Sequence, residues 1–494
     1  MGQNSGAGKN ASFFSRLIKG EQTSGTIKLG LAAVFLGLIG AVSSLLTEGQ
    51  AGAMFIIAAS VIGGYMALNI GANDVANNVG PAVGSKVLTM AGALIIAAIF
   101  EAAGALIAGG EVVNTISKGI IDPSSIPSAD QFVLAMMAAL LAAALWINLA
   151  TWFGAPVSTT HSIVGGVLGA GIAAAGVATV NWPTMGAIAA SWVISPLMGG
   201  IIAALFLWFI KGAILYRKDR ISAAITWVPL LLGVMGSAFT IYLSVKGFKR
   251  IWEPELWMVL AIGVASLGVI YAAAKPVIAR AAGKLENSKK AVNKLFVIPL
   301  IFGAALLSFA HGANDVANAV GPLAAIVSVV SGGGVEAKVV IPLWVMAIGA
   351  VGLSVGLLLF GPKLIKTVGQ EITRLNPTRA FCVALAAAIT VIAASWLGLP
   401  VSSTHTAVGG VFGVGFLREY FANRRMHIIG PLFMWAETQP DPRGRKIRKK
   451  RQKKGKRKLV RRAYLMTIIA AWVITVPVSA FVSAMIYLIL LNFI

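Results

Sequence analysis

Charge and cysteine are both scarce in this chain. Charged residues make up 12% of its 494 positions and hydrophobic residues 57%, with a mean hydropathy of +0.84. Uncharged apolar runs long enough to cross ~30 Å of hydrocarbon recur along its length, which excludes a soluble globular protein and defines a polytopic membrane protein. The single cysteine, Cys382, lies in an apolar stretch and excludes an intramolecular disulfide. Acidic residues number 17 against 41 lysines and arginines, a net charge of +24. The excess gathers in connecting segments, above all Arg443 to Arg462, which reads as a cytoplasmic loop obeying the positive-inside rule. An anionic-lipid contact at 443–462 is the alternative role for that loop. No aromatic interleaving or folded RNA-binding pattern accompanies its lysines, so nucleic acid is not an expected partner.

What the sequence does contain is a long series of apolar spans. The first, Leu29 to Thr47, follows a basic N-terminus. It exceeds the ~7–15 residues of a signal h-region, so it reads as a retained helix with a cytoplasmic N-terminus. Further spans are expected at roughly 53–80, 88–109, 132–150, 156–179, 187–210, 222–245 and 256–274, then at roughly 295–322, 338–361, 380–397, 400–417 and 463–491. The expected fold is an all-α polytopic membrane protein with about twelve or thirteen crossings. Short glycine-rich spans are alternatively re-entrant, with broken helices at the midplane.

Three landmarks occur twice in the same order. GANDVANNVG from Gly71 matches GANDVANAVG from Gly312, PVSTTHSIVGGVLGAG from Pro156 matches PVSSTHTAVGGVFGVG from Pro400, and SWVISPLMGG from Ser191 matches AWVITVPVSA from Ala471. The chain therefore divides into an N-terminal segment with an extra helix (1–52), a first repeat (53–210), a two-helix connector with basic cytoplasmic segments (211–294) and a second repeat (295–494) that includes the basic loop 418–462. The loops 362–379 and 418–462 are basic, while their first-half counterparts 110–131 and 172–186 are slightly acidic and uncharged. Corresponding loops are thus expected on opposite sides of the membrane, which makes the repeats inverted. Two-fold-related halves of this kind are a transporter signature.

The duplicated polar residues set the chemistry. On a helix, Asn73, Asp74 and Asn77 share a face, as do Asn314, Asp315 and Asn318. Gly71 and Gly80-Pro81 bracket the first set with residues that loosen helices, and Gly312 and Gly321-Pro322 repeat the arrangement. Carboxylate and amide oxygens are hard ligands suited to Na⁺, and a carboxylate in low dielectric is alternatively a proton carrier. The second motif places Ser158, Thr159 and Thr160, and likewise Ser402, Ser403 and Thr404, just after a proline, which suits a helix N-terminus. That end bears partial positive charge and unpartnered N–H groups, so with the hydroxyls it makes an anion cradle without lysine or arginine. A co-transported cation on the Asp and Asn cluster would supply the missing counter-charge.

His161 and His405 follow the hydroxyl motifs and serve either as accessory groups or as packing residues. Glu101 stands alone in an apolar span, a coupling candidate with no counterpart in the second half. His311 precedes the second motif where Ile70 precedes the first, and this asymmetry argues against it as a repeated ligand.

At GANDVANNVG, HGANDVANAVG, PVSTTH and PVSSTH the sequence resembles the inorganic phosphate transporter (PiT) family of secondary transporters. The resemblance covers both repeats. It implies import of inorganic phosphate across the cytoplasmic membrane by symport with Na⁺ or H⁺, about twelve helices in inverted repeats, no enzymatic cofactor, and a homodimer. It assigns Asn73, Asp74, Asn77, Asn314, Asp315 and Asn318 to cation and substrate coordination, and the six Ser and Thr residues to the phosphate. The same-class alternative is a sulfate symporter. A remote alternative, an intramembrane Ser/His hydrolase built on Ser158 with His161 and Ser402 with His405, lacks a G-x-S-x-G elbow. A passive anion channel lacks the usual Lys or Arg rings.

Overall fold

The computed structural model describes residues 25–155, 157–247, 254–333, 341–371, 375–424, 426–429, 434–437, 460 and 462–493. The described part of the first half contains α1 (Gly25–Leu46), α2 (Ala53–Gly84), α3 (Met90–Ala108), a short α4 (Gly110–Asn114), α5 (Ala129–Phe153), α6 (Thr159–Ala175) and α7 (Trp182–Ile210). The connector supplies α8 (Arg220–Tyr242), α9 (Leu256–Ala282) and a short α10 (Lys289–Leu295). The second half contains α11 (Val297–Asp315), α12 (Ala317–Ser328), α13 (Leu343–Glu371), α14 (Pro377–Trp396), α15 (Ser403–Arg424) and α16 (Arg462–Leu490). A small antiparallel hairpin, β1 (Met426–Ile429) with β2 (Met434–Glu437), is the one sheet among the described residues. The lysine-rich run 443–459 and the N-terminal 24 residues lie outside them.

The helices start where side chains can accept their orphan N–H groups. Thr89, Ser128, Asn181, Asp219, Ser288 and Asn376 each cap the helix that follows, a contribution of about 1 kcal/mol apiece. Eleven helices among the described residues are long and apolar enough to cross a membrane. The two expected spans that fall short are the ones opening on the Ser and Thr motifs. Helix α6 has only 17 residues, or ~25 Å at 1.5 Å per residue. Helix α15 becomes charged at Arg418 and Glu419. Both begin inside the protein, where their first residues are buried.

The halves are packed by exchange. Helix α2 lies against α13 of the other half, and α11 lies against α3; α6 lies against α16, and α15 against α7. Glycines form each seam. A Cβ on Gly71 would run into the carbonyl of Leu353 and one on Gly356 into that of Leu68, while in the matching seam Gly312 faces the carbonyl of Glu101 and Gly104 that of Phe309. Gly165 and Gly169 face Val476 and Ala480, as Gly409 and Gly413 face Pro196 and Gly200. Such close backbone approach is how membrane helices gain packing without a hydrophobic driving force. It also corrects the expected role of the motif glycines. Helix α2 runs unbroken through Gly71 and Pro81, and in the second copy the backbone stays helical at Val316, between Asp315 and Ala317.

Candidate functional site

The exchange brings both polar motifs and both hydroxyl motifs to one buried centre. Asn73, Asp74, Asn77, Asn314, Asp315, Asn318 and all six motif hydroxyl residues are at most 2% exposed. Ser158 accepts from the backbone N–H of His161 at 3.1 Å and Ser402 from that of His405 at 3.2 Å, so both serines are N-caps, as their sequence context predicts. Pro156 lies outside the described residues. Asn73 donates to the Thr151 hydroxyl at 2.9 Å and accepts from Val157 N–H at 3.3 Å; Asn314 donates to Ser395 at 2.9 Å and to the Leu399 carbonyl at 3.3 Å. Each first asparagine therefore clasps the chain leading into α6 or α15, fixing that helix end beside the carboxylate.

The carboxylates link the halves. Thr159 and Thr404, from different halves, each donate to Asp74 at 2.7 Å. Asn77 reaches across to the Thr404 hydroxyl at 2.7 Å, and Asn318 reaches back to Thr159 and Thr160 at 3.3 Å. Ser403 donates to Asp315 at 2.8 Å, matching Thr159 on Asp74. The match then fails, because Thr160 donates to the Val401 carbonyl at 3.1 Å instead of to Asp315.

His311 takes the place left beside Asp315. Its Nε2 is 2.9 Å from Asp315 and 3.8 Å from Asp74, and its Nδ1 is 3.3 Å from Glu101, which in turn accepts from Asn78 at 2.7 Å. Sequence reasoning sets His311 aside for lacking a counterpart and leaves Asn78 unmentioned. The signal that could have found them is that all three unpaired polar residues belong to one set. The glycine seams equate Glu101 with Leu353, and the motif alignment equates His311 with Ile70 and Asn78 with Ala319. Ile70, Leu353 and Ala319 all belong to a single hydrophobic cluster. One seam between the halves thus carries a buried polar branch where the matching seam carries a packed apolar core.

His161 and His405 meet across the two halves with ring centroids 4.5 Å apart, and His161 also lies on Trp192 at 3.9 Å. Their backbone N–H groups, not their rings, meet the capping serines, so the geometry gives no nucleophile and base pair. Buried oxygens of Asn77, Asn314, Asn318 and Asp315 have no hydrogen-bond donor, a set of hard acceptors suited to an alkali cation. Asp74, His311 and Asp315 present ligand atoms within 4.8 Å of one another. No lysine or arginine joins the contacts described at this centre.

A polytopic helical membrane protein with an oxygen-rich buried centre, lined by two repeated motif pairs and by the N-termini of α6 and α15, has the form of a membrane transporter. Residues 70–483 match the phosphate transporter family model, and the chain belongs to that family. It is similar to a phosphate permease of Helicobacter pylori strain J99, with 48% identity over 94% of this chain and 95% of the relative. A phosphate permease of Pyrococcus abyssi is 36% identical over 87% of this chain and 96% of its own length. Among solved structures it resembles a sodium-dependent phosphate transporter, with a TM-score of 0.78 and 34% identity over 89% of this chain and all of the other. The protein is a transporter and not an enzyme, which removes the hydrolase alternative.

Proposed function

We propose that the protein imports inorganic phosphate across the cytoplasmic membrane by symport with Na⁺, through alternating access of two inverted halves. The observation that carries this reading is the sharing of Asp74 by Thr159 and Thr404, hydroxyls in the first turns of α6 and α15, which belong to different halves. A hydroxyl proton given to a carboxylate is withheld from an anion. When Na⁺ takes the lone pairs of Asp74, Thr159 and Thr404 turn their protons outward, and the N–H groups of the α6 and α15 first turns add to the cradle. Cation binding thereby creates the anion site, and the cation supplies the counter-charge that no lysine or arginine provides there.

Within this scheme Asp74, Asn77, Asn314, Asp315 and Asn318 coordinate cations, the amide groups of Asn73 and Asn314 also fix the chain entering α6 and α15, and Thr159, Thr160, Ser403 and Thr404 face the phosphate. Ser158 and Ser402 hold the helix starts. The two carboxylates are not equivalent, because His311 already engages Asp315 at 2.9 Å. Asp74 is accordingly the cation-sensitive member. Na⁺ is preferred to H⁺ because of the neutral amide oxygens in the ligand set, which bind a metal ion but hold no proton.

The test is phosphate uptake into proteoliposomes under an imposed Na⁺ gradient and, separately, a pH gradient. The Na⁺ gradient should drive accumulation, and Asp74→Asn should lower the initial rate at least ~10-fold, the equivalent of losing ~1.4 kcal/mol of cation binding. Wild-type rates in both Asp74→Asn and Asp315→Asn would remove the cation assignment. Equal inhibition by excess sulfate would shift the substrate to that oxyanion.

A further inference from the structure

The hairpins formed by α5 with α6 and by α14 with α15 turn at equivalent glycines, Gly154 and Gly398, with positive φ of 74° and 67°. Each tip is met by the same position of the other half. A Cβ on Gly109 would meet Val316 and one on Gly361 would meet Val75, valines that the repeated decapeptide equates. Glu111 and Lys363, each two residues further on, therefore correspond. Lys363 Cε lies 3.6 Å from a Cβ built on Gly154, and the Glu111 carbonyl lies 3.9 Å from one built on Gly398. The chemistry then diverges. The exposed Lys363 ammonium donates to the Trp152 carbonyl at 2.7 Å, in the last turn of α5. Glu111 pairs instead with Lys246 of the connector at 3.1 Å, and Thr115 donates to the Gly398 carbonyl at 2.7 Å.

The approaches beneath the two tips diverge in the same sense. Asn148 on α5 is exposed and donates to Asn69 on α2 at 3.1 Å, and Asn69 lies one helical turn before Asn73. The motif alignments equate Asn69 with Ala310 and Asn148 with Ile392, which pack in an apolar cluster with Val391, Ala394 and Val401. One approach to the transport centre thus carries amides inward from an exposed residue, and the other is packed dry. Ions cross a polar lining more readily than an apolar constriction, which dewets. A lysine at a helix C-terminus satisfies an orphan carbonyl and suits the negative end of the helix dipole. A single exposed bond of this kind is weak enough to be broken and remade in every cycle. In the inverted arrangement proposed above, the basic segment 362–379 puts Lys363 and its tip toward the cytoplasm.

We propose that the α5–α6 tip is the inner gate of the transport centre: Lys363 latches it shut, and Asn69 and Asn148 line the passage by which the transported ions leave for the cytoplasm. Lys363 is a positioning residue, because it holds the gate and not the ions. The inference rests on the alternating-access reading and deepens it, since it names the bond whose breaking opens one side.

The test is the rate at which a membrane-impermeant maleimide labels Val157→Cys in the full-length protein, in inside-out and in right-side-out membrane vesicles. Val157 lies just inside the tip at 3% exposure, and its counterpart Val401 is 1% exposed. Adding Lys363→Met should speed labelling of Val157→Cys at least ~5-fold in inside-out vesicles, the equivalent of ~1 kcal/mol. Labelling of Val401→Cys should not rise in either preparation. Lys363→Arg should keep the slow rate, because a guanidinium can remake the bond. Asn69→Ala with Asn148→Ile, the residues of the matching approach, should slow labelling again in the Lys363→Met background. The proposal fails if Lys363→Met leaves the rate unchanged, if it speeds Val401→Cys equally, or if the gain appears in right-side-out vesicles. It fails equally if Lys363→Arg labels as fast as Lys363→Met, or if the two asparagine changes leave the faster rate as it was. Labelling reports access and not substrate, so such a failure leaves the phosphate and Na⁺ assignment standing. Uptake driven by neither gradient would remove that assignment and leave the labelling result intact.

Discussion

Glu101, His311 and Asn78 show how much a single residue type can change a duplicated site. Each is buried and each replaces an apolar residue of the matching half. A lone carboxylate or imidazole buried in that environment would be costly, and the set is made tolerable by the Asn78–Glu101 hydrogen bond and the approach of His311 to Glu101 and Asp315. Glu101→Leu alone should therefore destabilise the protein by about 3–5 kcal/mol, since it strands His311 and Asn78. Changing all three to their counterparts, as Asn78→Ala, Glu101→Leu and His311→Ile, should restore most of that loss in chemical unfolding. A triple variant less stable than Glu101→Leu would show that the two halves are not equivalent at these positions. Sequence alone revealed the repeated residues because repetition is a signal. It concealed the branch because a contact between α3 and α11 has no linear trace, and a missing counterpart looks like irrelevance.

At the scale of elements, glycine has two uses that composition does not distinguish. Motif glycines next to a proline suggest a broken helix, yet α2 continues through them and Gly71 instead lets Leu353 approach. The same holds at Gly169, where a side chain would meet the backbone of Ala480. Gly169→Leu should lower stability by at least about 1–3 kcal/mol, because backbone cannot move aside as a side chain can. Gly37, on a face of α1 with nothing within 4 Å, should accept Ala with no loss. Thermal midpoints of the two purified variants compare them directly. The starts of α6 and α15 were legible, since proline, serine and threonine stop a helix from starting earlier. Their burial was not, because burial depends on which helices surround them.

For the molecule as a whole, the loop charges that suggested inversion lead to a labelling prediction. Cys382 is fully buried, so the native chain is close to a cysteine-free background for surface reagents. Ser124→Cys, exposed in the loop before α5, should react with a membrane-impermeant maleimide on intact cells. Asn287→Cys, exposed between α9 and α10, should react only after permeabilisation. Reaction of both from one side would contradict the proposed topology. The basic run 443–459, the strongest part of the charge argument, lies outside the described residues, so the topology rests on the shorter loops as well.

The exchange of partners between halves also governs how the protein can be made. Helices α2 and α6 close their glycine seams against α13 and α16, which leave the ribosome only after the entire connector. During synthesis the first half must wait in the bilayer with its seams against lipid and with Asp74 lacking the Thr404 hydroxyl. A chain ending before Leu343 can never close those seams. Membrane quality control therefore has a long interval in which to act on this protein, and a truncated product offers it polar and glycine-rich surfaces that the finished transporter hides.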